Sequence, residues 1–159
     1  WMLRRGLEFL QYMAKAGAVH GHLLPHNLFI DGANHGVRVI DFSRTTPVRQ
    51  LPRRAPFFPQ TWRALMPSEL RLGGTADASA DLYCLVKGLI WANGGNVTQN
   101  SLHPSEPAWL QNFMRSMVLD SPAMRPAAAE YSALWRRLGD QLRQTFGSVF
   151  EPLPRAPSL

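Results

Sequence analysis

The residues best equipped for chemistry lie in two short runs, His20-Gly21-His22-Leu23-Leu24-Pro25-His26-Asn27 and Val39-Ile40-Asp41-Phe42-Ser43. Asn27 and Asp41 offer the hard oxygen atoms that suit Mg²⁺, and such a pair, separated by a short hairpin, can hold the ion against the phosphates of a nucleotide. His22 stands on the same loop, and a neutral imidazole can accept a proton near neutral pH. His20, His22 and His26 also form an H-x-H-x-x-x-H pattern of the kind that binds zinc or copper, although the loop offers no evident carboxylate or thiolate to complete such a site.

Regular elements must bring these runs together. Leu3, Leu7, Leu10, Met13 and Ala14 follow a helical period, which predicts a helix from Leu3 to Ala16 that Gly17 stops. Leu28-Phe29-Ile30 and Val37-Arg38-Val39-Ile40 flank the turn Asp31-Gly32-Ala33-Asn34-His35-Gly36 and predict a β-hairpin that delivers Asp41 next to the loop carrying Asn27. Residues 44–66 hold Pro47, Pro52, Pro56 and Pro59 and predict a long surface loop without regular structure, made basic by Arg44, Arg49, Arg53, Arg54 and Arg63. A nearly all-apolar helix is expected from Ala80 to Asn93, then a polar loop over 96–107. An amphipathic helix carrying Trp109, Leu110, Phe113, Met114, Met117 and Val118 follows, and a last helix opens at Pro126 and runs to about Phe146.

At 159 residues, 45% of them hydrophobic, the chain fits one domain, expected over 1–150 with a loose Pro-rich tail at 151–159. No apolar run approaches the length of a membrane helix. The single cysteine, Cys84, lies in the most apolar stretch and reads as a small buried hydrophobe; nothing points to an oxidising compartment, so a cytoplasmic location is expected. The net charge is +6, and only Lys15 and Lys87 among the 17 basic residues are lysine. That balance favours an acidic partner, whether a protein or, less directly, a nucleic acid. Trp1 is not a translation start, so an upstream segment is allowed for.

The order of these elements resembles the C-terminal lobe of the protein-kinase-like fold, over roughly residues 3 to 146. Four landmarks carry the resemblance. His20 to Asn27 is similar to the catalytic loop H-R-D-L-K-P-x-N, and Asp41-Phe42-Ser43 to the D-F-G motif. Met66-Pro67-Ser68-Glu69, followed by Ala80-Asp81-Leu82-Tyr83, is similar to the A-P-E segment and the buried helix after it. Leu119-Asp120-Ser121-Pro122-Ala123-Met124-Arg125-Pro126 is similar to the late D-P-x-x-R-P motif. The fold class implied is mainly α (α+β), with a short hairpin carrying the two motifs.

The resemblance implies roles residue by residue. Asn27 and Asp41 match the positions that bind Mg²⁺ and, through it, ATP. His22 stands where the family has its catalytic Asp, Leu24 where it has a Lys, and Gly21 where many members have an Arg. His20 and Phe42 match an internal stacking column, Asp81 the carboxylate that anchors it, and Glu69 with Arg125 a buried ion pair. The stretch before Trp109 is short for the family, which usually fits a substrate-docking helix there. No G-x-G-x-x-G occurs in these residues, so the lobe that supplies it would lie upstream. The expectation is a pseudokinase-like domain that regulates or scaffolds a partner protein through Arg49, Arg53 and Arg54. The alternatives are an atypical ATP-Mg-dependent phosphotransferase completed upstream and a basic nucleic-acid-binding module. Ser43, Thr45, Thr46 and Thr61 are candidate phosphorylation positions.

Overall fold

Leu3, Leu7, Leu10 and Met13 recur every three or four residues. In the computed structural model, which describes residues 1–50 and 60–147, they form the buried face of α1 (Met2–Lys15). That face packs against α3 (Ala78–Ala92) and α5 (Tyr131–Phe146), and the three helices enclose the main core with Phe113, Met114 and Met117. Fully burying a Leu or Met side chain stabilises by about 1.5–3 kcal/mol, so this core is the principal source of stability. A smaller apolar cluster of Leu24, Leu65, Met66, Leu70, Ala80 and Cys84 lies on the other flank of α3. Helix α3 therefore faces protein all round, which is why its sequence shows little polar face.

The described residues form a mixed α+β structure with two small antiparallel sheets. β1 (Ala18–Val19) pairs with β4 (Thr46–Pro47), and β2 (Leu28–Asp31) pairs with β3 (Gly36–Val39) in the register Leu28↔Val39, Phe29↔Arg38. The hairpin turn is held by Asp31, whose carboxylate accepts from the Asn34 side chain at 2.9 Å and from the Ala33 amide at 3.2 Å. Short helices α2 (Ser68–Arg71) and α4 (Ala108–Arg115) complete the set. No helix among the described residues is long and apolar enough to cross a membrane.

Several boundaries differ from the sequence expectation. The segment after Ser43 is not wholly irregular: β4 and a 3-10 turn at Val48–Gln50 begin it, and a 3-10 turn at Gln60–Leu65 closes it, with Leu65 and Met66 buried. Pro47 is tolerated because a two-residue edge pairing makes no use of its missing N–H. Helix α3 starts at Ala78 because Asp77 caps it, accepting from the Ala80 amide at 2.8 Å. Helix α4 ends at Arg115, short of Met117 and Val118, which nonetheless stay buried. The last helix is preceded by a separate 3-10 turn, Ala128–Glu130, in which the Glu130 carboxylate accepts from the Ala127 amide at 2.8 Å. The tail at 151–159, together with Arg53 and Arg54, lies outside the described residues.

Glu69 and Arg125 tie the segment around α2 to the loop before α5. The guanidinium donates to the carboxylate in a fork, at 2.5 and 3.2 Å, and also to the carbonyls of Leu119 at 2.7 Å and Asp120 at 2.9 Å. Its Cζ also lies 4.7 Å from the centre of the Tyr83 ring, a cation–π contact beside the four hydrogen bonds. Arg125→Ala is expected to lower unfolding free energy by about 3–5 kcal/mol in urea, because a part-buried carboxylate and two carbonyls lose their donor. A loss below about 1 kcal/mol, the range of exposed pairs, would show that the pair is ornamental.

Candidate functional site

Asp81, in the first turn of α3, points into the protein rather than capping its own helix, and is only 3% exposed. Its two carboxylate oxygens accept from consecutive backbone amides, His20 at 2.7 Å and Gly21 at 2.9 Å. Burial pushes its pKa up to about 7, against the pull of those two amides. Tyr131 reinforces the start of the same helix by donating its hydroxyl to the Ala78 carbonyl at 2.6 Å. Gly88, one face further along α3, lies against Pro25: a Cβ there would meet the proline ring at 3.1 Å, so a glycine lets the loop 25–27 approach.

Gly21 is the pivot of the loop. Its φ is +74°, and a Cβ would sit 3.1 Å from the Arg44 carbonyl. A side chain here meets both a backbone penalty and a backbone oxygen, so the arginine of the resembled motif has no room.

His20 is fully buried, and its hydrogen bonds define its tautomer. Nδ1 accepts from the His22 amide at 3.3 Å, so Nε2 carries the hydrogen and donates to the Ile40 carbonyl at 3.1 Å. Burial lowers its pKa, with the Ile40 carbonyl opposing, and the ring is neutral. Phe42 meets it edge to face at 5.1 Å between centres and Phe9 of α1 at 5.8 Å. His20 and Phe42 are thus brought together, and the sequence reading had missed Phe9, whose place on the edge of the α1 stripe was its only signal.

Asn27, His22 and Asp41 converge. The buried Asn27 closes the loop: its Nδ2 donates to the His22 carbonyl at 2.8 Å, and its own carbonyl accepts from the Ile40 amide at 3.0 Å. The first of these bonds places the NH₂, not the oxygen, on the inner side of the amide. Asp41 adopts φ +59°, which a short polar side chain tolerates, and its Oδ1 accepts from the Ser43 hydroxyl at 2.5 Å. The His22 imidazole fills the space between, with Nδ1 at 3.1 Å from Asp41 Oδ2 and 3.2 Å from Asn27 Nδ2. The contact to the carboxylate is the one that needs a proton, so Nδ1 donates to Asp41. The Ser43 hydroxyl first and the His22 hydrogen bond second hold the Asp41 carboxyl below its usual range. Burial lowers the pKa of His22, and the hydrogen bond to Asp41 opposes that.

An ion shared by Asn27 and Asp41 would have to displace His22 from Asp41 Oδ2 and turn the Asn27 amide, whose NH₂ faces inward. The three histidines of the zinc or copper pattern do not converge: His20 is turned into the core toward Ile40, while His22 and His26 touch edge to face at 4.9 Å. Among the described residues no group of three or more His, Cys, Asp or Glu could hold a metal ion. Of the basic residues singled out, Arg49 is exposed on its 3-10 turn. Thr46 is buried in β4, which removes it as an accessible phosphorylation position. No protein-family model and no curated protein matches the chain.

Asp81 binds its proton more tightly in the folded chain, so its contribution to stability is full below the ordinary carboxylate range and is lost as pH rises through about 7. Between about pH 6.5 and 8 the share of the unfolding free energy that Asp81 carries is expected to fall by ~1 kcal/mol. His20 and His22, whose pKa values burial lowers, act in the opposite direction, so the share is read as the difference between wild type and Asp81→Asn. Asp81→Asn should flatten that slope and cost about 1–3 kcal/mol, since its NH₂ would confront an amide hydrogen. Identical pH slopes for wild type and Asp81→Asn in denaturant titrations would contradict the assignment.

Proposed function

We propose that this chain is a pseudokinase-like domain that acts by binding a partner protein, not by transferring phosphate. Support comes from the order of its parts: a helix, a loop anchored by Asp81, a hairpin ending in Asp-Phe-Ser, a Pro-rich basic segment, and a late Arg125 paired to Glu69. The resembled fold has the same order. The observation that carries the functional step is the His22 imidazole between Asn27 and Asp41. A carboxylate at position 22 would leave Asp41 facing a like charge and would favour a cation between them. Imidazole instead donates to Asp41, so the site's negative charge is met from within.

Calorimetric titration of the full chain with MgCl₂, and with ATP in the presence and absence of Mg²⁺, tests this. Wild type is expected to show no Mg²⁺-dependent nucleotide binding, and His22→Asp should acquire Mg²⁺ binding that Asp41→Ala then removes. Magnesium-dependent ATP binding in wild type, lost in Asp41→Ala and accompanied by phosphate transfer, would establish the atypical phosphotransferase in its place.

A further inference from the structure

His22 is the first of a run of contacting rings that leaves the site and crosses the surface. His22 and His26 centres are 4.9 Å apart, His26 and Trp62 5.2 Å, and Trp62 and Trp91 5.7 Å. The run joins three separate parts of the chain: the loop 20–27, the 3-10 turn Gln60–Leu65 and the last turn of α3. Trp62 is half-buried against the smaller core cluster, which fixes its ring, whereas Trp91 is 52% exposed. Arg44 flanks the His22 end, its backbone abutting Gly21, and it is exposed and makes no ion pair with any described residue. The guanidinium acts on His22 as a positive neighbour.

We propose that this ridge, from Arg44 past His26 to Trp62 and Trp91, binds an acidic peptide segment that carries one large apolar side chain. The inference rests on the non-catalytic binding function proposed above and specifies its partner. Three features point to that ligand. Arg44 leaves positive charge unmatched by any described carboxylate at one end, in a chain of net charge +6, which complements carboxylates. Tryptophan and arginine are the side chains that most often dominate binding energy at protein interfaces, where a fixed ring loses little freedom on docking. Two of the three ring contacts are edge to face, at 67° for His22 with His26 and 81° for Trp62 with Trp91, and the middle one, His26 with Trp62, is tilted at 37°. Each face so covered is unavailable for stacking on a nucleobase, whereas a continuous apolar ridge still accepts an aliphatic or aromatic side chain.

Panning a random-peptide phage library on the full chain, followed by anisotropy measurements on the selected peptides, decides the matter. Selected peptides are expected to hold several Asp or Glu residues around one Trp, Phe or Leu. Both Trp91→Ala and Arg44→Glu, exposed positions whose thermal unfolding is checked in parallel, should weaken them by about tenfold or more. No enrichment, enrichment of neutral or basic peptides, or peptides indifferent to both substitutions would overturn the proposal. So would tighter binding of labelled oligo(dT) with a steep loss of affinity on adding salt, the mark of phosphate contacts. Neither substitution replaces Asn27 or Asp41, so the Mg²⁺-ATP titration and transfer assay report separately on the proposed lack of catalysis: Mg²⁺-dependent phosphate transfer together with a positive peptide result would sink only that lack of catalysis.

Discussion

The clamp between Asp81 and two consecutive amides sets what the remainder of the molecule can do. Strand β1 ends at Val19, and the chain must then turn away from the sheet and cross α3. A buried carboxylate that accepts from both His20 and Gly21 determines where that crossing happens. Burying the acid raises its pKa, and two amide dipoles offset part of that cost. With the backbone held there, the His20 ring has only the space between Phe9 and Phe42, and its two nitrogens join the His22 amide to the Ile40 carbonyl. One carboxylate on a buried helix thus sets the spacing between the loop and the end of the hairpin.

That spacing explains the chemistry of the three converging residues. Asn27 and Asp41 are brought to either side of His22, so that Nδ1 donates to Asp41 while the Asn27 amide, bonded to the His22 carbonyl, lies beside the ring. Electrostatics then depends on a single position. With imidazole there, the carboxylate of Asp41 has a donor on each oxygen, Ser43 on one and His22 on the other. A second carboxylate in the same place would reverse the balance and call for a cation. The imidazole at position 22 thus meets the charge of Asp41 at the point where an ion shared with Asn27 would sit.

Much of this frame was legible from residue types. The α1 stripe, the hairpin and the apolar α3 follow from periodicity and turn chemistry and appear within a residue or two of expectation, whereas α4 ends early and the last helix starts at Tyr131, after a 3-10 turn, and not at Pro126; the pairing of Glu69 with Arg125 was implied by the resemblance alone. Other features left no local trace. Asp77 and Asp81 are both acids near the start of one helix, and only the fold shows that the first caps it while the second points inward. The contact of Pro25 with Gly88 and the packing of Phe9 on His20 join residues far apart in the chain. Prolines suggested a featureless segment after Ser43, yet Thr46 and Pro47 pair with β1 because an edge position makes no demand on the proline nitrogen.

What the amino-acid order alone determined is the inventory: which stretches are helical, where the chain turns, which side chains bear charge and which oxygen ligands lie within a hairpin of one another. These depend on local sterics and on the spacing of apolar residues, and neighbours in sequence carry that information. Only the tertiary structure decided what the inventory does. Whether His22 faces solvent or bridges Asn27 and Asp41, whether Trp62 and Trp91 are core residues or a surface ridge, and which of two acids becomes the buried anchor all depend on distances between segments. Those distances are set by how α1, α3 and α5 pack, and packing is a property of all the side chains at once.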